Sequence, residues 1–148
     1  METLNKGQHS AYKIHYHFVT PIKYRKSIFG NVERCKSLIQ ITKEIEERYE
    51  IHFEQVGLDE NHVHYLLSSS PKFSPSQLIR TIKSIIAREL FKQHPDLKKE
   101  LWGGELWSDG YFVATVGEGG NRDVIFNYVA KQGIKNPQHQ LKFFNLDR

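Results

Sequence analysis

The stretch IHFEQVGLDENHVHYLLS, residues 51–68, decides the fold. Residues 51–58 and 63–68 are strand-like runs, and the Asp59, Glu60 and Asn61 between them are typical turn residues. The stretch therefore predicts an antiparallel hairpin. His62 and His64 flank one residue at the start of its second strand. Residues two apart in a strand point to the same face, so both imidazoles can converge on one ion while Val63, Tyr65 and Leu67 face the core.

The segments around this hairpin predict further strands and helices. Residues 12–20 alternate apolar and polar side chains, which indicates a strand, and residues 31–49 are typical of an amphipathic helix. Ser74, Pro75 and Gln77 form a helix start with a capping box. Residues 111–116 predict a strand, and roughly residues 121–132 predict a last helix.

The order of these elements is strand, helix, strand, strand, helix, strand, helix. It predicts an α+β fold, a ferredoxin-like or RRM-like antiparallel sheet with helices on one face. The last helix is extra to this unit, and the opposite sheet face is available to it. With 148 residues, the chain is expected to form a single domain, residues 1–148.

Composition and charge narrow the functional classes. The single cysteine, Cys35, excludes an internal disulfide and a cysteine-rich zinc site. No apolar run approaches the ~18 residues of a membrane span, and the first ten residues are too polar for a signal peptide. We therefore expect a cytoplasmic protein with no membrane partner. The net charge of +4 and the pI of about 9.1 are compatible with a phosphate-rich partner but do not require one.

The last predicted helix carries a polar residue on an apolar face. Tyr128 and Gln132 share this face with Val124, Ile125 and Val129 by helical spacing. A glutamine at such a position suggests that a group opposite it needs an amide oxygen. The alternative is a core tyrosine with a glutamine at the edge of the stripe.

The two histidines at 62 and 64 also have a simpler interpretation as ordinary strand residues. A second pair, His15 and His17, lies on the first predicted strand. If the two strands are neighbours, both pairs could serve one region of the molecule.

Several motifs together resemble a known family. The chain is similar, over nearly its whole length, to the IS200/IS605-type single-tyrosine transposases of the HUH endonuclease superfamily. The motifs that carry the resemblance occur in the family's order: Lys23-Tyr24-Arg25, His62-Val63-His64, residues 106–113 followed by Val116-Gly117, and residues 128–132 with Tyr128 and Gln132 four apart. Asn61 departs from many relatives, which have an acidic residue there.

The resemblance implies a function for these residues. Tyr128 would be the nucleophile, and His62, His64 and Gln132 would bind a divalent metal, Mg²⁺ or Mn²⁺. Such an enzyme is a metal-dependent transposase that recognises DNA hairpins, then cleaves and rejoins single-stranded DNA through a 5′-phosphotyrosine. The family works as a homodimer, and the Gly117–Gly120 connection is a plausible hinge for a tyrosine helix that acts in cis or in trans.

The candidate DNA contacts are basic residues, each of which could equally be a solvated surface charge. They are Lys23, Arg25, Arg80, Lys83 and Arg88. His15 and His17 have no catalytic counterpart and are left outside the predicted site.

Three other functional classes compete with this interpretation. An RNA-recognition module shares the predicted sheet but does not need the His-x-His motif and the tyrosine helix. A domesticated relative would bind hairpins without moving DNA, yet the predicted catalytic residues are intact. A metalloenzyme that does not act on nucleic acid is the third alternative.

Overall fold

The computed structural model describes residues 11–116 and the backbone of two short strands, at 5–6 and 142–145. Two small strands pair with each other, β1 (Asn5–Lys6) and β2 (Ala11–Tyr12). The main unit contains β3 (His15–Pro21), α1 (Val32–Arg48), β4 (Ile51–Leu58), β5 (His62–Ser69), α2 (Pro75–Gln93), α3 (Leu97–Glu100), β6 (Phe112–Thr115) and β7 (Lys142–Asn145). Short 3₁₀ turns at Lys23–Arg25 and Ile28–Gly30 connect β3 to α1.

The main sheet has the strand order β6-β3-β5-β4-β7, and all neighbouring strands are antiparallel. The first four strands in this order form the ferredoxin-like arrangement, which confirms the predicted fold class. The outer strand β7 pairs with β4. It comes from a C-terminal segment to which the sequence patterns assign no element.

Within the described residues, one apolar cluster joins a face of the sheet to α1 and α2. Phe18, Phe53 and Tyr65 supply large fully buried rings from the sheet, and Leu38 and Ile82 are buried on the helices. The Tyr65 hydroxyl lies 3.1 Å from Thr20 Oγ1, and burial raises the pKa of Tyr65 above its ordinary value. This buried tyrosine therefore keeps its proton and serves the core.

Both long helices begin where the sequence predicts. The Asn31 side chain accepts a hydrogen bond from the backbone N–H of Arg34 at 3.1 Å. Ser74 Oγ accepts from the N–H of Gln77 at 3.1 Å, and Gln77 Oε1 accepts from the N–H of Ser74 at 2.8 Å. These reciprocal bonds complete the predicted capping box.

Two parts of the chain differ from the predicted elements. The strand expected over residues 12–20 is divided, because β5, the partner of β3, ends at Ser69 opposite the start of β3, and Ala11–Tyr12 pair with β1 instead. The short helix α3 was not predicted. Buried Leu97 and an ion pair at 2.6 Å between Arg34 Nη2 and Asp96 Oδ2 attach it to α1.

The helix predicted at 121–132 lies outside the described residues. In the described part of the chain, no helix is long and apolar enough to cross a membrane.

Candidate active site

The histidine pair owes its position to the two-residue repeat of β5. Val63 and Tyr65 point into the helix-covered core, so His62 and His64 lie on the opposite face. The tight turn before the strand is closed by a hydrogen bond of 3.0 Å from the Asp59 N–H to the His62 carbonyl. His62 is 1% exposed and His64 is 4% exposed.

The two imidazoles meet at their outer nitrogens. Nε2 of His62 lies 3.0 Å from Nε2 of His64, and the rings are inclined edge to face with centroids 4.8 Å apart. Two neighbouring ligands of an octahedral ion, each about 2.1 Å from it, are separated by about 3.0 Å. The pair therefore has the spacing of two adjacent metal ligands.

Residues of the preceding turn orient the His62 ring. Its Nδ1 lies 2.9 Å from Asn61 Oδ1, and because an amide oxygen only accepts, Nδ1 is the donor. The Nε2 of the neutral ring then has a lone pair, and this nitrogen lies 3.0 Å from Nε2 of His64. Asp59 Oδ2 lies 3.7 Å from the same Nδ1, which is too far for a hydrogen bond.

Both rings are neutral near pH 7. Burial, followed by the positive charge of Arg25, lowers the pKa of His62 to about 4. Burial also holds the pKa of His64 well below its ordinary value, with smaller contributions from His62 and His17. Neutral imidazole is the form that binds a metal ion, so the donor set fits a divalent cation.

The second histidine pair lies on the same sheet face. Strands β3 and β5 are neighbours, with Val19 opposite His64 and His17 opposite Leu66. His15 lies two residues before His17, opposite Ser68, and its Nδ1 lies 2.9 Å from Glu54 Oε1. Burial lowers the pKa of His17. All four histidines thus share one face, but His15 is engaged with Glu54 away from the His62–His64 pair.

A third ligand is not supplied by the residues that the structure describes. Among them, no group of three His, Cys, Asp or Glu side chains could hold a metal ion. Tyr128 and Gln132, the predicted nucleophile and third ligand, lie outside the described residues. Their roles stay predictions.

The basic residues proposed to contact DNA occupy different environments. Lys23 Nζ is 2.8 Å from Glu105 Oε2, and the charge of Arg25 acts on His62. Arg80 donates to Ser76 Oγ at 3.3 Å on the exposed side of α2, and Arg88 lies 3.5 Å from Glu89.

Lys83 is bound to the protein itself. Its ammonium donates to the carbonyls of Ser108, at 3.2 Å, and Gly110, at 3.1 Å. Burial lowers the pKa of Lys83. A phosphate contact at Lys83 would compete with these two hydrogen bonds.

The sequence interpretation did not assign roles to Asp59 and Asn61 beyond the turn. The structure places both beside Nδ1 of His62. Short polar side chains directly before a strand histidine are a signal that could have predicted this, since turn residues at that position reach back to the ring.

Comparison with known proteins decides the family. The model of the family described as "Transposase IS200 like" matches residues 10–132, which include both histidine pairs. The chain belongs to the IS200-like transposase family. Its members are DNA-cleaving enzymes, so the protein that contains this histidine pair is a transposase.

Relatives of this IS200-like chain support the assignment over most of its length. The ISDra2 transposase TnpA of Deinococcus radiodurans is 31% identical over 132 residues, covering 89% of this chain and 93% of that protein. The transposase for insertion sequence element IS200 of Salmonella typhimurium is 30% identical over 124 residues, covering 84% and 80%.

Solved structures agree with the fold. A crystal structure of a candidate transposase from Deinococcus radiodurans has a TM-score of 0.77 at 30% identity, covering 86% of this chain and 97% of that one. A REP-associated tyrosine transposase bound to a REP hairpin has a TM-score of 0.52 at 10% identity, covering 88% and 76%, and shares the fold.

Proposed function

We propose that this IS200-like transposase cleaves and rejoins single-stranded DNA at the ends of a mobile element, with Tyr128 as the nucleophile. The observation that carries the proposal is the pair of buried, neutral imidazoles whose Nε2 atoms converge to 3.0 Å. The family match extends to residue 132 and so includes Tyr128 and Gln132.

The residues present fit a divalent cation. Two neutral nitrogens from His62 and His64, with the amide oxygen of Gln132, form a nitrogen and oxygen ligand set suited to Mg²⁺ or Mn²⁺. Bound there, the ion would polarise the scissile phosphate and offset charge on its oxygens. Asn61 would hold the His62 ring in the orientation that keeps Nε2 directed at this position.

The chemistry assigned to Tyr128 is a transesterification. Its hydroxyl, with an ordinary pKa near 10, loses a proton to solvent as the oxygen attacks phosphorus. The bond from phosphorus to the 3′ oxygen breaks, and this oxygen takes up a proton to become a free 3′-hydroxyl. The 5′-phosphotyrosine conserves the phosphoester, so another 3′-hydroxyl can attack it and restore the tyrosine.

We further propose that the DNA partner contains a hairpin and that the protein acts as a homodimer. One protein of the same fold has been solved bound to a REP hairpin. Both features also follow from the family resemblance of the motifs.

A covalent adduct tests the proposed function. The protein is incubated with Mg²⁺ and labelled single strands that carry a hairpin and a flank, and adducts are resolved on a denaturing gel. We expect an adduct with the wild type and with the control variant Tyr49→Phe, and none with Tyr128→Phe. The affinity of Tyr128→Phe for the hairpin should stay within about twofold of the wild-type value, because the hydroxyl is needed for attack and not for binding. An adduct of undiminished yield in Tyr128→Phe would show that the nucleophile is another residue.

A further inference from the structure

The turn that follows β3 has an unusual backbone. Tyr24 has a φ of 56° and Arg25 a φ of 53°, and within the described residues these are the non-glycine positions with positive φ. A side chain with a Cβ is disfavoured in this left-handed region, and tyrosine is not among the residues that tolerate it best. Strained backbone of this kind concentrates at ligand-binding sites.

Hydrogen bonds fix this turn next to the histidine pair. The Ile22 N–H donates to the Asn61 carbonyl at 2.9 Å, and the Lys23 N–H donates to the Leu106 carbonyl at 2.8 Å. Asn61 also contacts the His62 ring. The turn is therefore held in a defined position relative to His62.

The strained turn presents an aromatic ring to solvent. Tyr24 is 56% exposed and does not belong to the apolar core cluster of the described residues. Lys23 Nζ lies 5.6 Å from the centre of the ring and is itself held at 2.8 Å from Glu105 Oε2. Packing in the apolar core therefore does not explain why a tyrosine occupies this strained position.

Two cationic residues flank Tyr24 in the chain, and one of them, Lys23, is paired with Glu105. Lys23 lies beside the ring, and the positive charge of Arg25 is close enough to act on His62. An exposed aromatic ring between cationic side chains is the combination that binds single-stranded nucleic acid, since a base stacks on the ring and the cations meet the backbone phosphates.

We propose that Tyr24 is a stacking platform for a base of the single-stranded DNA beside the scissile phosphate. This inference rests on the proposed function and adds a subsite to it. The turn that contains Tyr24 is bonded to Asn61, the residue before His62, so a base stacked on Tyr24 would bring the adjoining phosphate toward the histidine pair. Stacking is tolerant of sequence, because every base has an aromatic face.

Fluorescence of 2-aminopurine tests the platform directly. Hairpin oligonucleotides carry this base at each flank position in turn, and binding is measured in Tyr128→Phe protein so that no cleavage occurs. We expect quenching at one flank position, retained in Tyr24→Trp and lost in Tyr24→Leu. The affinity of Tyr24→Leu for the flanked hairpin should fall about tenfold, within the range for loss of one stacked base. Its affinity for the hairpin without a flank should not change.

Two further variants separate stacking from folding. Tyr24→Gly removes the ring and suits the left-handed backbone, so it should melt no lower than the wild type and still lose the quenching. Tyr49→Leu changes an exposed tyrosine just before β4, at the opposite end of the sheet, and should leave quenching and affinity unaltered. Wild-type affinity and quenching in both Tyr24→Leu and Tyr24→Gly would overturn the proposal.

The covalent-adduct assay keeps the two proposals apart. If the wild type forms the adduct but the quenching of 2-aminopurine in the flank does not depend on Tyr24, the stacking platform is rejected and the proposed transposase reaction is still supported. Quenching that depends on Tyr24, in a protein whose wild type forms no adduct, would support the platform on a DNA-binding protein without the proposed chemistry.

Discussion

The His62 ring, a proposed metal ligand, shows how a single side chain is oriented by its neighbour. Asn61 Oδ1 accepts its Nδ1 proton at 2.9 Å and fixes the neutral tautomer. An amide oxygen orients the ring as a carboxylate would, but without a full negative charge. The carboxyl group of Asp59 is buried, and its Oδ2 lies 3.7 Å from the same nitrogen. Asn61 therefore orients the ring by a hydrogen bond, whereas Asp59 lies beside the ring without one to Nδ1.

Substitution of either central histidine should remove the metal response of cleavage. In His62→Ala or His64→Ala we expect a loss of more than about 100-fold in apparent metal affinity, since loss of an outer-shell partner alone costs about 10–100-fold. The measurement is adduct yield as a function of Mg²⁺ or Mn²⁺ concentration.

His15→Ala is the matched comparison, because His15 lies on the same sheet face but contacts Glu54. The metal concentration that gives half-maximal adduct yield should be the same for His15→Ala as for the wild type, even if the variant's melting temperature falls. Loss of the metal response in His15→Ala alone would reverse the ligand assignment.

At the scale of elements, α2 is joined to the loop that leads into β6. Trp107 Nε1 donates to the Lys83 carbonyl at 2.9 Å, while Lys83 Nζ donates back to the carbonyls of Ser108 and Gly110. These three bonds tie the helix to the edge of the sheet that contains the histidines. Lys83 therefore has a structural task whether or not it also meets a phosphate.

A pair of variants distinguishes the two roles on this helix. Lys83→Met should lower the free energy of unfolding by ~1–2 kcal/mol, because it removes charged hydrogen bonds to two carbonyls. A plot of the logarithm of DNA affinity against the logarithm of salt concentration should have the same slope for Lys83→Met as for the wild type. Arg80→Gln, on the exposed side of α2, should change stability by less than about 0.5 kcal/mol and, if Arg80 contacts a phosphate, reduce that slope by about 1.

Chemical denaturation and DNA titrations at several salt concentrations provide both measurements. A Lys83→Met protein of unchanged stability and reduced salt slope would identify Lys83 as a phosphate contact instead.

For the whole molecule, the burial of the histidine pair bears on the kind of DNA that can react. The two rings are almost fully covered, at 1% and 4% exposure. Under the proposed function, the scissile phosphate must therefore approach closely to reach an ion that these rings bind. A single strand can bend toward this position, whereas the complementary strand of a duplex would obstruct it. The net charge of +4 favours either form of DNA and so does not decide between them.

Affinity should therefore depend strongly on strandedness. We expect a hairpin with a single-stranded flank to bind at least about tenfold more tightly than the same sequence in a perfect duplex, and both affinities to fall steadily with salt as phosphate contacts release counterions. Competition binding with the two labelled forms measures the ratio. Equal affinity for both forms would contradict the proposed single-stranded substrate.

The sequence by itself determined the local features of this protein. The periodicity of the two long helices, the capping box at Ser74, and the placement of His62 and His64 on one face depend on residues close together in the chain, and the structure has them as predicted. The strand order of the ferredoxin-like unit was also predictable, because the succession of elements permits few topologies.

Only the tertiary structure decided which distant residues meet. Pairing of β3 with β5 brought the second histidine pair to the same face, and the loop at 107–110 bonded to Lys83. Backbone hydrogen bonds from Ile22 and Lys23 to Asn61 and Leu106 fixed the position of the turn that contains Tyr24. Strand β7 joined the edge of β4 from the far end of the chain. These contacts depend on register and packing between segments that are far apart in sequence, and local periodicity contains no information about them.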